Sequence, residues 1–259
     1  MKEERPTAPA DAHSTESPAD SPAAEFSGSG VVDEHFLPEA GLDLDAYIAS
    51  GDLTAIHHLT RYKWAQAILR QRSSAASVLD LGCGSGYGTF LLAEAQPQSQ
   101  FLGVDYDPQA ISEAARRYTL PNLAFATGDP TDWEASIGDT KHDIVTCFDV
   151  LEHVKHRELL LEGLTYHLRQ DGWLLLSTPC GHARNVLEPD WEPHRIEYAA
   201  ASLYDLLRRY FAVVRRADEP SFPERRIFEA LHARGIDYLL YMNPVLCSEP
   251  IQLPNPYRW

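Results

Sequence analysis

Four glycines at alternate positions carry the strongest chemical signal in this sequence. They stand in Val78-Leu79-Asp80-Leu81-Gly82-Cys83-Gly84-Ser85-Gly86-Tyr87-Gly88. An apolar strand runs into a turn bare of side chains and then into a helix, so a ligand can approach the backbone closely. In an open α/β sheet such a first crossover lies at the carboxyl ends of the strands, where ligands bind. The spacing sorts the candidate ligands. A dinucleotide fingerprint, GxGxxG, would need its third glycine at Tyr87 or Thr89. A phosphate loop would need Gly-Lys-Ser/Thr, and this run has no lysine. What remains is D-x-G-x-G-x-G.

Further chemistry-bearing residues follow in order. Asp105 closes the apolar run Phe101-Leu102-Gly103-Val104. A carboxylate there can accept both hydroxyl protons of a vicinal diol. Ala126-Thr127-Gly128-Asp129 closes the next run, and Asp143 to Phe148 leads into Asp149-Val150-Leu151-Glu152-His153-Val154. Leu174-Leu175-Leu176-Ser177-Thr178-Pro179 is followed, after a gap, by Pro193-His194-Arg195-Ile196-Glu197-Tyr198.

This series resembles the ordered motifs of class I S-adenosylmethionine-dependent methyltransferases over roughly residues 76 to 180. His57-His58-Leu59-Thr60-Arg61-Tyr62 is similar to the opening helix of the ubiquinone-O-methyltransferase-like subgroup. The resemblance implies S-adenosylmethionine as cofactor and S-adenosylhomocysteine as product. Gly82, Gly84 and Gly86 would shape the cofactor loop, Asp105 would take the ribose hydroxyls with Tyr106 beside it, and Asp129 would border the adenine amine. Pro130 removes a backbone donor, so the adenine hydrogen bond is expected from Thr131 or Asp132. Trp133 either covers the adenine or packs in the core. Asp80 either meets the cofactor's charged amino end or braces the loop. Arg61 either pairs with the methionine carboxylate or is an exposed helix arginine. Tyr87, Phe148 and Asp149 complete the cofactor side, with Tyr87 a candidate lining of the methyl site.

A methyl sulfonium is already a strong electrophile, so the protein mostly aligns an acceptor lone pair with the methyl–sulfur axis. A hydroxyl acceptor gains from a base. His153 and His194 are the catalytic candidates, since an unperturbed pKa near ~6.5 suits proton removal at neutral pH. The bland alternative is a His153 packed for structure. His182, Trp191 and Tyr198 are weaker pocket candidates. Asp149-x-x-Glu152-His153 with a distant His194 also offers carboxylate and imidazole metal ligands, a set similar to that of small-RNA 2′-O-methyltransferases. The first position here is Asp rather than their usual Glu, and no basic RNA-binding surface accompanies it. The expectation is therefore no metal.

The elements that must position these residues alternate strand and helix. Strands are expected at Ser77–Leu81, Phe101–Val104, Leu123–Ala126, Asp143–Phe148 and Trp173–Ser177, with a last candidate at Asp237–Met242. Helices are expected at Gly86–Ala95, Pro108–Tyr118, His156–Arg169 and Ala200–Tyr210, after an opening helix within Thr54–Arg72. Asp107 and Pro108 give the second of these a good start signal. Such alternation implies an α/β fold, and the resemblance makes it Rossmann-like, a seven-stranded mainly parallel sheet with helices on both faces. Residues 1–30, rich in Pro, Ala, Ser and acids, are read as a disordered tail. Residues 31–75 are read as an N-terminal helical segment, and 76–259 as the cofactor-binding domain. Its acceptor-specific part would start near residue 184, with a Pro- and aromatic-rich end that serves either as a lid or as a homodimer contact.

Composition bounds the partners. The 259 residues carry 38 acids and 22 bases, a net charge of −16, which disfavours phosphate backbones and anionic membranes. Residues 1–40 account for −7 of this. No stretch approaches the ~20 apolar residues of a membrane span, and the start does not read as a secretory signal. Cys83, Cys147, Cys180 and Cys247 form no CxxC pair, consistent with a reducing cytoplasm. The resemblance implies methyl transfer onto an oxygen or nitrogen of a small molecule, in secondary metabolism or a quinone-like pathway, and the composition is compatible with that expectation. The rivals are an RNA or peptide methyltransferase, and a protein that binds the cofactor without transferring methyl.

Overall fold

The computed structural model describes residues 35–38, 42–132, 137–187, 189 and 193–251. The tail expected over 1–30, Trp133, Trp191 and the aromatic end at 252–259 lie outside the described residues. Two helices come first, α1 (Leu44–Ser50) and α2 (Leu53–Leu69). Each starts on an aspartate. Asp43 accepts from the amides of Asp45 and Ala46, and Asp52 from that of Ala55, satisfying amides that have no partner within the helix.

Alternation then sets in: β1 (Ser77–Leu81), α3 (Tyr87–Ala95), β2 (Gln100–Asp105), α4 (Pro108–Arg117), β3 (Leu123–Thr127), β4 (His142–Phe148), α5 (Arg157–His167) and β5 (Leu168–Ser177). The short strands β6 (Cys180–His182), β7 (Val186–Leu187) and β8 (Ile196–Ala199) follow, then α6 (Ala200–Leu207), β9 (Phe211–Arg216), α7 (Arg226–His232), α8 (Tyr238–Tyr241) and β10 (Val245–Pro250). The main sheet has seven strands in the order β3-β2-β1-β4-β5-β10-β9. Pairing is parallel from β3 to β5, and β10 runs antiparallel to both of its neighbours. The chain winds outward from β1 to β3, then returns to β4 on the other side of β1. Ligands bind at such a switch point, outside the carboxyl ends of the strands.

Residues of period two divide the core between the two faces. Val78 and Ile144 pair across β1 and β4 and pack in the layer that holds Trp64 and Leu92. Their successors Leu79 and Val145 enter the opposite layer with Leu160 and Leu164. All seven residues of β4 are buried, as expected of a central parallel strand covered on both faces. Trp64 is fully buried and donates its indole N–H to Pro223 O at 3.2 Å, which ties α2 to the segment after β9.

The last strand is not where the sequence reading puts it. Asp237–Met242 contains the short helix α8, because the Asp237 carboxylate caps the amides of Leu239 and Leu240. The strand begins instead just after Pro244, at Val245. A four-residue apolar run has no periodicity to separate helix from strand, and here the aspartate cap decides. Strands β9 and β10 complete the main sheet, and of the described chain beyond about residue 184 the stretch around β7 and β8 and the junction of α8 with β10, where Thr178 N donates to Met242 O at 3.0 Å, lie near the carboxyl end of β5. All four cysteines are buried and unbridged. Among the described residues, no helix is long and apolar enough to cross a membrane.

His142, at the start of β4, is 2% exposed, and its Nδ1 lies 3.0 Å from Ser77 Oγ. Burial lowers its pKa from 6.5 to about 4, with the field of His167 and Arg169 adding to the effect. The unfolded chain therefore binds a proton at this residue between those values and the fold does not, so acidification through that window removes stability. The loss from this group is on the order of 3 kcal/mol. Urea titrations at neutral pH and near the lower value should show His142→Asn losing less stability on acidification than the unsubstituted chain. Equal losses in both would contradict this.

Candidate active site

The loop from Gly82 to Gly86 bends at every second residue. Gly82, Gly84 and Gly86 take φ of 72°, 51° and 78°, the left-handed region that side chains disfavour. The amides of Gly82 and Cys83 both donate to Val104 O, at 2.8 and 3.1 Å, so the loop hangs on the end of β2. A Cβ on Gly82 would lie 2.2 Å from the Val150 side chain, so the loop also packs against the segment leaving β4. Gly88 serves packing, since a Cβ there would lie 2.0 Å from the Tyr62 ring. Gly88→Ala should displace that ring at a cost of about 1–3 kcal/mol. A lowered urea midpoint would register the displacement, and an unchanged one would show that the ring is not wedged.

Asp80 takes the bracing role. It is fully buried and accepts hydrogen bonds from Thr146 Oγ1 (2.6 Å), Thr89 Oγ1 (2.6 Å) and Tyr62 Oη (3.1 Å). Burial pushes its carboxyl up to about 6, against the three hydroxyl donors that favour the charged form.

Asp105 ends β2 at 4% exposure. Its Oδ2 accepts from Gly84 N at 2.8 Å and its Oδ1 from Asp107 N at 3.0 Å. Burial raises its pKa, opposed by those two amides and by the nearby His35. One carboxylate thus joins the glycine loop to the start of α4, with Tyr106 alongside, 37% exposed. His35 and Phe36, which no sequence signal singles out, reach across this loop. His35 Nε2 lies 3.2 Å from Asp107 Oδ2, Ser85 Oγ donates to Phe36 O at 2.7 Å, and the Phe36 ring stacks on His58 at 4.7 Å.

The Asp129 turn, expected to border the adenine, bonds within itself. Asp129 Oδ1 accepts from both the amide and the hydroxyl of Thr131, at 2.7 and 2.6 Å, and Asp132 N donates to Asp129 O at 3.1 Å. The two amides expected to donate to adenine are therefore committed within the turn that Pro130 initiates. The turn closes on itself because Pro130 presets its backbone.

At the opposite end of the loop, Arg61 is buried rather than exposed and forms an ion pair with Asp149. Asp149 has a φ of 54°, a backbone strain of the kind concentrated at functional sites. The Phe148 ring packs edge-on against Tyr62 at 5.3 Å and is 6% exposed, so it belongs to the core. Tyr87 lies between Phe36 and Tyr62. Tyr87 Oη and Arg61 Nε are buried without a hydrogen-bond partner, and such atoms are costly unless a ligand completes them. A zwitterionic amino-acid end suits a cradle of arginine, aspartate and phenol, and a ribose suits the Asp105 end. The residues present fit S-adenosylmethionine.

Beyond β4 the chain turns through Glu152 and His153, and the segment before β8 brings in His194. The two imidazoles meet edge to face, with centroids 4.9 Å apart. His153 Nδ1 lies 3.1 Å from Pro193 O, and His194 Nδ1 lies 3.0 Å from Glu197 Oε1. Carbonyl and carboxylate only accept, so each Nδ1 carries the proton and each Nε2 is the other face of the ring. Burial, reinforced by the field of His194, lowers the His153 pKa to about 4. The expected near-neutral base is thus a neutral imidazole and a weak proton acceptor. Burial would raise the Glu197 carboxyl, but hydrogen bonds from His194 and His182 prevail and hold it below the usual range. His182 belongs to this support, with Nε2 2.6 Å from Glu197 Oε2. Tyr198 is 3% exposed and packs in the core, where it also lines a cavity with Arg157, Asn185 and Arg209. Glu152 is fully buried, and Thr178 Oγ1 donates to its Oε2 at 2.9 Å. The sequence reading expects no metal here, yet the ligand atoms of Glu152, His153 and His194 lie within 4.8 Å of one another.

Comparison with known proteins agrees with this geometry. A family model described as a methyltransferase domain matches residues 72–209. A trans-aconitate 2-methyltransferase of Deinococcus radiodurans is 32% identical over 140 residues, covering 54% of this chain and 49% of that protein. The match thus spans about half the length of that relative. A ubiquinone biosynthesis O-methyltransferase of Paraburkholderia phytofirmans is 26% identical over 200 residues, covering 73% of this chain and 80% of that protein. The fold is similar to that of an O-methyltransferase from a trans-AT PKS multienzyme of Brevibacillus brevis solved with S-adenosyl-L-homocysteine. The TM-score there is 0.55 at 14% identity, over 85% of this chain and 83% of that one. With the glycine loop, the acid ending β2 and the strand order in agreement with a family match over more than half its length, the chain belongs to the class I S-adenosylmethionine-dependent methyltransferases.

Proposed function

We propose that the protein transfers the methyl group of S-adenosylmethionine to an oxygen or nitrogen of a small molecule. The observation that carries this reading is that the Asp105-anchored glycine loop and the His153–His194 pair both follow the carboxyl ends of the adjacent parallel strands β2, β1 and β4, with Gly82 packed against Val150, three residues before His153. Asp105 and the Arg61–Asp149 cradle hold the two ends of the cofactor, while the paired imidazoles orient the acceptor atom, whose proton passes to water. Once a lone pair is aligned, the acceptor–carbon bond forms as the carbon–sulfur bond breaks, and S-adenosylhomocysteine leaves. Relatives named for trans-aconitate and for ubiquinone biosynthesis support a small acceptor, and the net charge of −16 argues against nucleic acid. We place the acceptor in secondary-metabolite or quinone-type chemistry and the protein in the cytoplasm, where four unbridged cysteines are at home.

The test is a panel of hydroxy acids, phenols, catechols and amines, set beside oligonucleotides and peptides, with S-adenosylhomocysteine read by mass spectrometry. Product with a small acceptor is expected. Transfer to oligonucleotide or peptide alone would overturn the reading.

A further inference from the structure

We propose that Glu152, His153 and His194 bind a divalent first-row transition-metal ion. One ligand atom from each lies within 4.8 Å of the others. Around an ion with bonds of ~2.1 Å the ligands stand about 3–3.5 Å apart, so small side-chain rotations close the site. The three residues come from different places, two from the turn after β4 and one from the segment before β8, and the Glu152 O to Arg195 N hydrogen bond of 2.7 Å holds these segments together.

Each ligand is also held from behind. Pro193 O fixes the His153 ring through Nδ1, Glu197 fixes the His194 ring through Nδ1, and Thr178 fixes Glu152 through Oε2. A carboxylate or carbonyl behind an imidazole is the outer support that orients metal-binding histidines and raises their basicity. Glu197 is itself anchored by His182. The remaining oxygen of Glu152, Oε1, is buried without a hydrogen-bond partner. A carboxylate oxygen removed from water without a partner is costly, and a cation would satisfy it. Two imidazole nitrogens and one carboxylate oxygen suit manganese, iron, cobalt or zinc better than magnesium or calcium, which prefer all-oxygen sets.

Three protein ligands leave positions open. The consequence for catalysis rests on the methyl-transfer reading: an acceptor hydroxyl bound there would release its proton to water more readily and present an oxyanion to the methyl group. Binding of the ion does not depend on that reading.

The experiment uses the untagged full chain, stripped with a chelator and titrated with Co²⁺, following the visible absorption of the bound ion. Parallel S-adenosylhomocysteine titrations report the cofactor end. One equivalent of Co²⁺ per chain is expected, with affinity falling at least about tenfold in His153→Ala, His194→Ala and Glu152→Gln. His194→Asn guards against a variant that fails to fold. Absence of Co²⁺ binding in a chain that binds S-adenosylhomocysteine would overturn the proposal, as would equal Co²⁺ binding by all variants. Co²⁺ binding without S-adenosylhomocysteine binding would support the metal site and count against the methyl-transfer reading.

Discussion

Replacing Asp105 with alanine should weaken S-adenosylhomocysteine binding by roughly 10- to 150-fold. That range corresponds to the ~1.5–3 kcal/mol of hydrogen bonds to a charged group. Two losses combine. The diol loses its acceptor, and the amides of Gly84 and Asp107 lose the carboxylate that now binds them at 2.8 and 3.0 Å. The glycine loop would then no longer be fixed to the end of β2 by a side chain. Asp105→Asn keeps one acceptor oxygen and should fall between the two. Calorimetric titration of the three proteins is the check. An alanine variant within about twofold of the unsubstituted chain would remove Asp105 from the cofactor site.

Replacing His194 with alanine should lower turnover by roughly 100- to 10,000-fold, the range for a group that orients the acceptor for proton loss. Cofactor affinity should stay within about twofold, because neither imidazole is among the groups proposed to hold the cofactor, Asp105 and the Arg61–Asp149 pair. His153→Ala should act in the same direction, since its ring packs against that of His194 at 4.9 Å. Their effects should be less than additive if the two work as one unit. The check is kcat and cofactor Kd measured on the same preparations. Normal turnover in either variant would remove that residue from the reaction. Loss of cofactor binding in step with turnover would mean a structural role instead.

The cofactor side was legible because its chemistry forces unusual residues into a contiguous pattern. Three left-handed turns in five residues need glycine, and an acid ending the next strand follows in order. Bracing of Asp80 by Thr89 and Thr146 was not legible, since hydroxyls on separate elements carry no spacing signal. The acceptor side was half legible. His153 and His194 stand out by type, but Glu197, Thr178 and the Pro193 carbonyl gain meaning only when the chain folds back over 40 residues or fewer to meet them. His35 and Phe36 lie at the edge of an acidic, proline-rich stretch and gave no sign of reaching the loop. Burial is likewise invisible in sequence, which is why His153 reads there as a near-neutral base. The sheet was read correctly as far as β5. Beyond it, prolines at 244 and 250 hid β10, and the apolar run at Tyr238 invited a strand that the Asp237 cap turns into helix.

The central claim is that the cofactor lies on the glycine loop at the carboxyl end of β1. Glycine-selective isotopic labelling tests it directly, because the chain has only 15 glycines and each gives one amide resonance. Titration with S-adenosylhomocysteine should shift Gly82, Gly84 and Gly86 and leave Gly51, Gly138 and Gly235, which sit in open turns, unmoved. Shifts confined to those outer turns, or no shifts in a folded protein at saturating ligand, would contradict the account.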